Sequence, residues 1–283
     1  MLIQLLSDLH LEVDPEFSPH PAPAADVLVL AGDIGAAPNS PMGQHGTPDW
    51  GLRRFSPRLG NWPVPVLYIP GNHEYDGQDF MTCRAALRAT AEALGIIWLE
   101  QEAVVLAGVR FIGTTLWSDF DAFADQPSDM PGALSHNLRA REQAFRAANA
   151  YLERTKTQHQ GTLFDAAAMR EEALSCQRWL AEQLAQPHPG PTVVVTHFAP
   201  SLKSHDPRYG LTPGTASFCN ALDHLAQGVD LWLHGHLHCP SDYYLGRCRV
   251  VANPLGYAEL KEQTFFQPEL SLGVAAVGVQ PAR

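Results

Sequence analysis

The stretch VPVLYIPGNHE, residues 64–74, carries two signals at once. From Val64 to Ile69 the side chains are mostly apolar, and Gly71 closes the run. That pattern belongs to a strand covered on both faces, because a strand with one wet face alternates apolar and polar residues. Asn72, His73 and Glu74 follow directly, placing an amide oxygen, an imidazole and a carboxylate at the strand's end.

The same grammar recurs along the chain. LIQLL (2–6) leads to Asp8 and His10, DVLVLAG (26–32) to Asp33, and TVVVTHF (192–198) contains His197. VDLWLHGH (229–236) leads to His236 and His238. Further apolar runs at 103–108, 109–117 and 249–254 also read as strands. Helical patterns lie between them. Residues 78–94 end at Gly95, a suitable C-cap, and residues 136–159 are polar and rich in Ala and Arg. Residues 165–185 carry Leu174, Trp179, Leu180 and Leu184 behind Asp165, a suitable N-cap. Strands interleaved with helices predict an α/β architecture. Residues 14–25 and 35–50, rich in Pro, Ala, Gly and Ser, read as surface loops after strand ends, where such proteins place their sites. The less apolar segment 119–164 reads as a partly helical insertion, either a lid or an inert excursion, within one domain spanning 1–283.

Composition narrows the class. The 283 residues are 45% hydrophobic and 17% charged, a globular balance. A chain of this size buries roughly 75% of the surface its unfolded form exposes. The net charge of −11 argues against a nucleic-acid or membrane-surface binder, which would need a basic field. It does not exclude a phosphate substrate, since bound divalent cations reverse a local field. No run reaches the length of a membrane-spanning helix, and the first residues lack the basic and apolar regions of a signal peptide. The five cysteines, Cys83, Cys176, Cys219, Cys239 and Cys248, are odd in number and form no CxxC pair. They read as free thiols in a reducing compartment, so a cytoplasmic location is expected.

Asp8 and His10 stand two apart, as do His236 and His238; in an extended segment each pair would share a face and reach one ion. Either pair alone is weak evidence. Five such motifs, each at the end of an apolar run, are much stronger. A mixture of carboxylate, imidazole and amide oxygen suits Zn²⁺, Mn²⁺ or Fe. A carboxylate such as Asp33 has two oxygens and can bridge two ions, and two ions roughly 3.5–4 Å apart clamp an in-line displacement at phosphorus.

The order DxH (Asp8, His10), GD (Gly32, Asp33), GNHE (71–74), His197 and GHxH (235–238) resembles the calcineurin-like metallophosphoesterase superfamily over residues 8–238. The flanking words SDLHLE, THFAPS and NPLGY are similar to a bacterial branch of phosphoesterases whose substrates are mostly unknown. The resemblance implies a four-layer α-β-β-α sandwich of two packed mixed sheets flanked by helices. It implies two divalent ions (Mn²⁺, Fe²⁺/Fe³⁺ or Zn²⁺), one held by Asp8, His10, Asp33 and His238 and the other by Asp33, Asn72, His197 and His236. It implies attack on a small phosphate ester by a hydroxide bridging the two ions, with His73 serving the leaving group as acid or charge stabiliser. Glu74 is expected to shape its loop, and His234 to be structural because the other positions fill both ligand sets. Cys239 is left out of the site.

Departures from the family pattern refine this. Protein phosphatases of the superfamily read GDxxDRG; here the second Asp, which orients the catalytic His there, is Ala36, the Arg is Ala37, and Pro70 replaces an Arg before GNHE. A protein phosphatase is therefore not expected, and His73 is left without its usual orienting residue. Relatives in the bacterial branch often carry a second His where Phe198 stands and an Arg where Leu255 stands. Lys203, His205, Arg208 and Tyr209 could replace lost phosphate contacts or be solvated loop residues. Few basic residues flank the motifs, which favours a small phosphodiester over a monoester dianion. A phosphomonoesterase or pyrophosphatase is the alternative, and a non-catalytic scaffold on the same fold the remaining one.

Overall fold

The computed structural model describes residues 1–124 and 130–275. The apolar runs form β1 (Leu2–Leu6), β2 (Val27–Ala31), β3 (Val66–Ile69), β5 (Glu102–Leu106) and β6 (Val109–Thr114). They also form β9 (Thr192–Thr196), β10 (Leu231–His234) and β12 (Cys248–Ala252). Five short strands had no clear signal: β4 (Ile97–Trp98), β7 (Gln158–His159), β8 (Thr162–Leu163), β11 (Ser241–Leu245) and β13 (Ser271–Gly273). They are two to five residues long, or polar, and so show too little periodicity to read.

Two mixed sheets result. The first has the order β13-β1-β2-β3-β4, parallel except for β13. The second has the order β11-β12-β10-β9-β6-β5, with antiparallel edges β11 and β5 around a parallel centre. Alternate residues of both sheets meet in one apolar layer: Ile3, Leu5, Val27 and Val29 from the first, Phe111, Val193, Val195 and Leu233 from the second. The intervening residues, such as Leu28, Leu30, Tyr68, Val194 and Trp232, belong to the outer core with the helices. Helix α1 (Phe80–Leu94) packs beside β4, and α3 (Ala166–Leu184) beside β6. Helices thus flank a β–β sandwich, as the resemblance implied.

The central strands are buried throughout, but β5 alternates between half-buried and exposed residues because it is an edge. The caps lie where the residue types put them. Asp79 and Asp165 accept the N–H groups of Thr82 and Ala168, at 3.0 and 2.9 Å, and Gly95 ends α1 at φ 75°. Helix α2 (Ala133–Thr155) ends earlier than the expected residue 159, at Lys156 in a left-handed conformation. Beyond it, Gln160 and Gly161, both at positive φ, turn the chain into the β7–β8 hairpin. Residues 125–129 of the expected 119–164 insertion lie outside the described residues. The rest is not a free excursion: the N–H of Gly77 donates to Thr155 O at 2.8 Å, and Thr157 Oγ1 donates to Tyr75 O at 3.1 Å. No helix among the described residues is long and apolar enough to cross a membrane.

The C-terminal ends of β1, β2 and β3 and those of β9 and β10 carry all the sequence motifs to one rim of the sandwich. The exit loops stay bonded beyond the strands, with Asp8 N to Gly32 O at 3.0 Å and His10 N to Asp33 O at 3.1 Å. Gly235 N to His197 O, at 3.1 Å, does the same in the second sheet. The loop after β12 ties the sheets together, its Gly256 N–H meeting Asp8 O at 3.0 Å.

Candidate metal centre

Asp8, His10, Asp33 and His238 bring their donor atoms within 4.8 Å of one another, and Asp33, His197 and His236 form a second such group. Asn72 Oδ1 joins the second group, 3.2 Å from His197 Nε2. The extended-segment argument for the two pairs does not hold in the structure. Asp8, His10, Asp33, His236 and His238 have φ of 54°, 46°, 52°, 73° and 49°. These are left-handed turn conformations, which Asp and His tolerate better than most residues. Each pair converges because the backbone curls at a loop, not because a pleat alternates. Such backbone costs on the order of 1–3 kcal/mol per residue and persists only where its surroundings over-determine it.

Close approach explains two of the motif glycines. A Cβ at Gly235 would lie 2.4 Å from Asp8 Oδ2, and one at Gly71 would lie 2.2 Å from Asp33 Oδ1. Glu74 is buried behind the loops, accepting the N–H groups of Gly71, Asp33 and Ile34 at 2.8, 3.1 and 2.8 Å. It touches two motif loops through the backbone and offers nothing to the cluster. Burial and the nearby Asp33 push its carboxyl up to about 8.

The hydrogen-bond partners fix which nitrogen of each imidazole is free. His10 Nδ1 meets Glu12 Oε1 at 3.0 Å, and His238 Nδ1 meets Glu262 Oε2 at 2.7 Å. His197 Nδ1 donates to Ala31 O at 2.9 Å. The Nε2 atoms therefore carry lone pairs, and they face other lone pairs. His10 Nε2 lies 3.0 Å from His238 Nε2. His197 Nε2 lies 3.1 Å from Asp33 Oδ2 and 3.2 Å from both Asn72 Oδ1 and His236 Nδ1. Asp8 Oδ2 is buried with no hydrogen-bond partner among the described residues. Acceptors converging on acceptors in a buried place need positive charge between them. Burial opposes a charge on Asp33, but His197 and His73 outweigh it and hold its carboxyl well below the usual range. Burial likewise opposes a charge on His197, yet Asp33 pushes it up to about 9. A proton or a cation satisfies those atoms equally, and metal ions compete with protons for such ligands. Burial and the neighbouring His197 hold His236 well below the usual histidine range, leaving it neutral as a ligand must be. The donor set thus fits divalent cations.

The sequence left His73 without an orienting partner; the structure supplies Asp76, one turn on. Its Oδ2 lies 2.6 Å from His73 Nδ1, and both side chains are buried. Tyr151, on α2, places its hydroxyl 2.8 Å from His73 Nε2. Burial disfavours the imidazolium, but Tyr151, Asp76 and Asp33 outweigh it and raise the His73 pKa well above the usual value. Asp33 Oδ1 accepts the His73 N–H at 2.8 Å, joining this residue to the cluster. Asp76, Glu12, Glu262 and Tyr151 were all missed from sequence. Only Glu12, in the word SDLHLE, lay within a quoted motif.

His234, the extra imidazole of LHGHLH, lies away from both groups. Its Nε2 meets Ser204 Oγ at 2.9 Å and its Nδ1 meets Gly235 O at 3.0 Å, and burial pushes its pKa down to about 4. Cys239 belongs to neither group, and all five cysteines are free. Arg208, one of the basic loop residues, lies 4.0 Å from Glu262, but Asp206 holds it at 2.6 Å.

A curated viral relative, uncharacterized protein L509 of Acanthamoeba polyphaga mimivirus, is 26% identical over 257 residues, covering 85% of this chain and 81% of its own. Among solved structures, a phosphopantetheinyl hydrolase (PptH) from Mycobacterium tuberculosis superposes with a TM-score of 0.63 at 19% identity, over 99% of this chain and 96% of that one. A dimetal phosphatase from Danio rerio gives 0.49 at 13% identity, over 89% and 86%. The family model for calcineurin-like phosphoesterases matches residues 2–240, from β1 through the last histidine of the cluster. The chain belongs to the calcineurin-like phosphoesterase family of metal-dependent phosphate-ester hydrolases.

Proposed function

We propose that this protein hydrolyses a small phosphodiester at two divalent cations (Mn²⁺, Fe²⁺/Fe³⁺ or Zn²⁺). One would be held by Asp8, His10, Asp33 and His238, and the other by Asp33, Asn72, His197 and His236. The observation that carries this is the pair of acceptor-on-acceptor contacts, His10 Nε2 against His238 Nε2 and His197 Nε2 against Asp33, Asn72 and His236. When bound, the cations would supply an acidified water and offset the charge of the phosphoryl oxygens.

The chain's own residues do the rest. Glu12, Glu262 and the Ala31 carbonyl hold three imidazoles in the tautomer that presents Nε2. Asp76 holds His73 by Nδ1, so Nε2, now 2.8 Å from the Tyr151 hydroxyl, is the atom that would meet the departing oxygen in place of that hydroxyl. A proton given from there neutralises the alkoxide as it leaves. Two clefts open on the cluster. One runs past Asn72 and His236, the other past His10 and Tyr257. Among the described residues, no Lys or Arg lines either. A monoester dianion or a pyrophosphate would gain from such a cation, whereas a singly charged diester needs none beyond the metals. A non-catalytic scaffold would have no use for a complete ligand set beside an oriented His73.

The test is a paired assay. Metal-stripped protein is reloaded with Mn²⁺ and given p-nitrophenyl phosphate and bis(p-nitrophenyl) phosphate in parallel. Faster turnover of the diester is expected. Preference for the monoester overturns the diester reading, and inactivity on both with two ions bound overturns the hydrolase reading for simple esters.

A further inference from the structure

We infer that the cleft beside Asn72 and His236 is a binding pocket for an uncharged apolar group, aromatic or branched alkyl, on the ester's leaving oxygen. This rests on the phosphoesterase reading above and narrows its substrate class.

The cleft is lined in part by Asn72, His236, Asp76 and Tyr151, so it adjoins both the cluster and the two residues that hold His73. An organic group entering it remains attached to an oxygen near His73 Nε2. Its walls are Trp117, Phe164, Phe198 and Phe218, closed by Ala147 and Ala148 of α2. On α2, Ala147, Ala148, Tyr151, Leu152 and Thr155 fall on one helical stripe, and the two alanines leave the space that larger residues would fill. The hydroxyls in the wall are already committed. Thr155 Oγ1 donates to Leu152 O at 3.1 Å, Thr157 Oγ1 to Tyr75 O at 3.1 Å, and Ser217 Oγ to Ala144 O at 3.3 Å. Asp76, the one charged residue among the described lining residues, gives Oδ2 to His73, and its Oδ1 is buried without a partner among them. A second phosphate would meet the Asp76 carboxylate and no cation, and the aromatic walls beyond offer a polar group no charged partner for the water it gives up.

Two of the positions where this chain departs from its expected pattern lie in these clefts. Phe198, where an imidazole was expected, stacks on His236 with centroids 3.9 Å apart and packs on Trp117 at 5.5 Å. Leu255, where an Arg was expected, is buried and lines the second cleft with Tyr257, whose ring stacks on His10 at 4.4 Å. Both departures put an apolar side chain where the ester's substituents would lie.

Calorimetric titration of Mn²⁺-loaded protein with ethylphosphonate and benzylphosphonate, each as its singly charged methyl ester, tests this. The two share a headgroup and differ in the group offered to the pocket. Benzylphosphonate should bind about tenfold more tightly or better, since burying a phenyl ring is favourable by its apolar area. Ala148→Leu should erase that advantage while ethylphosphonate still binds. Phe218→Ala, a change at a half-exposed wall residue, should lower benzylphosphonate affinity several-fold and guards against misfolding of the first variant. Equal affinity of the two probes in the unmutated protein overturns the pocket but leaves the metal-centre reading standing. An undiminished benzyl preference in both folded variants also overturns it. Binding of neither probe to the metal-loaded protein removes the phosphoesterase reading itself.

Discussion

Replacing Asp76 by Asn tests the least expected part of the site. The carboxylate lies 2.6 Å from His73 Nδ1, and both side chains are almost fully buried. The amide can still accept that hydrogen through its oxygen, so shape is kept and only the negative charge is lost. An ion pair becomes a contact between a charge and an amide dipole, which removes about 1–2 kcal/mol from an imidazolium that stabilises departure, on the order of the gain a charge adds to a hydrogen bond. That corresponds to a turnover roughly 5–30 times slower. Asp76 is not in either ligand group, so metal content should not change. The assay is kcat and KM on Mn²⁺-loaded enzyme over aryl diesters of graded leaving-group acidity, with metal analysis of the same samples. The loss should fall on kcat and grow as the leaving group worsens, a trend that a merely structural role would not produce. Turnover within about twofold of the original, or a uniform loss accompanied by loss of metal, would refute the positioning role.

Glu262→Gln weakens the hold on His238 Nδ1, now at 2.7 Å, and should lower affinity for one of two bound ions by about 10- to 100-fold while sparing the other; equilibrium dialysis showing two unchanged sites would count against it. Gly235→Ala puts a methyl 2.4 Å from Asp8 Oδ2, so the variant should fold yet bind metal more weakly, which metal analysis after gel filtration checks. Glu100 is raised above the ordinary value by burial, although Arg84 and Thr115 oppose this. Its folded form thus holds the proton more tightly, and its contribution to stability is lost as pH rises from the unfolded value through the folded one. Glu100→Gln escapes that loss, so melting curves should favour the variant more at pH 8 than at pH 5. A shift in the opposite direction would show that the Arg84 pair dominates.

The sequence by itself determined the central strands and the candidate ligands. Continuous apolar runs marked β1, β2, β3, β9 and β10 because strands buried on two faces leave no polar positions. The polar residues that end these runs stand out for the same reason, and a parallel α/β sheet gathers such ends at one rim. Gly95 and Asp165 were legible because capping is local chemistry. Tertiary structure decided what depends on chains meeting. Tyr151 reaches His73 across 78 residues and Glu262 reaches His238 from a separate loop, and nothing in a polar helix or a loop carboxylate marks it as a partner. Asp76 is close in sequence, but only the turn that starts at His73 points it back at the imidazole. The curled backbone at Asp8, His10, Asp33, His236 and His238 was hidden too, since left-handed residues other than Gly are imposed by their surroundings. The apolar cleft is the furthest case: Phe198 and Ala148 are ordinary residues in their own segments, and they become a pocket because α2 folds back over the metal rim.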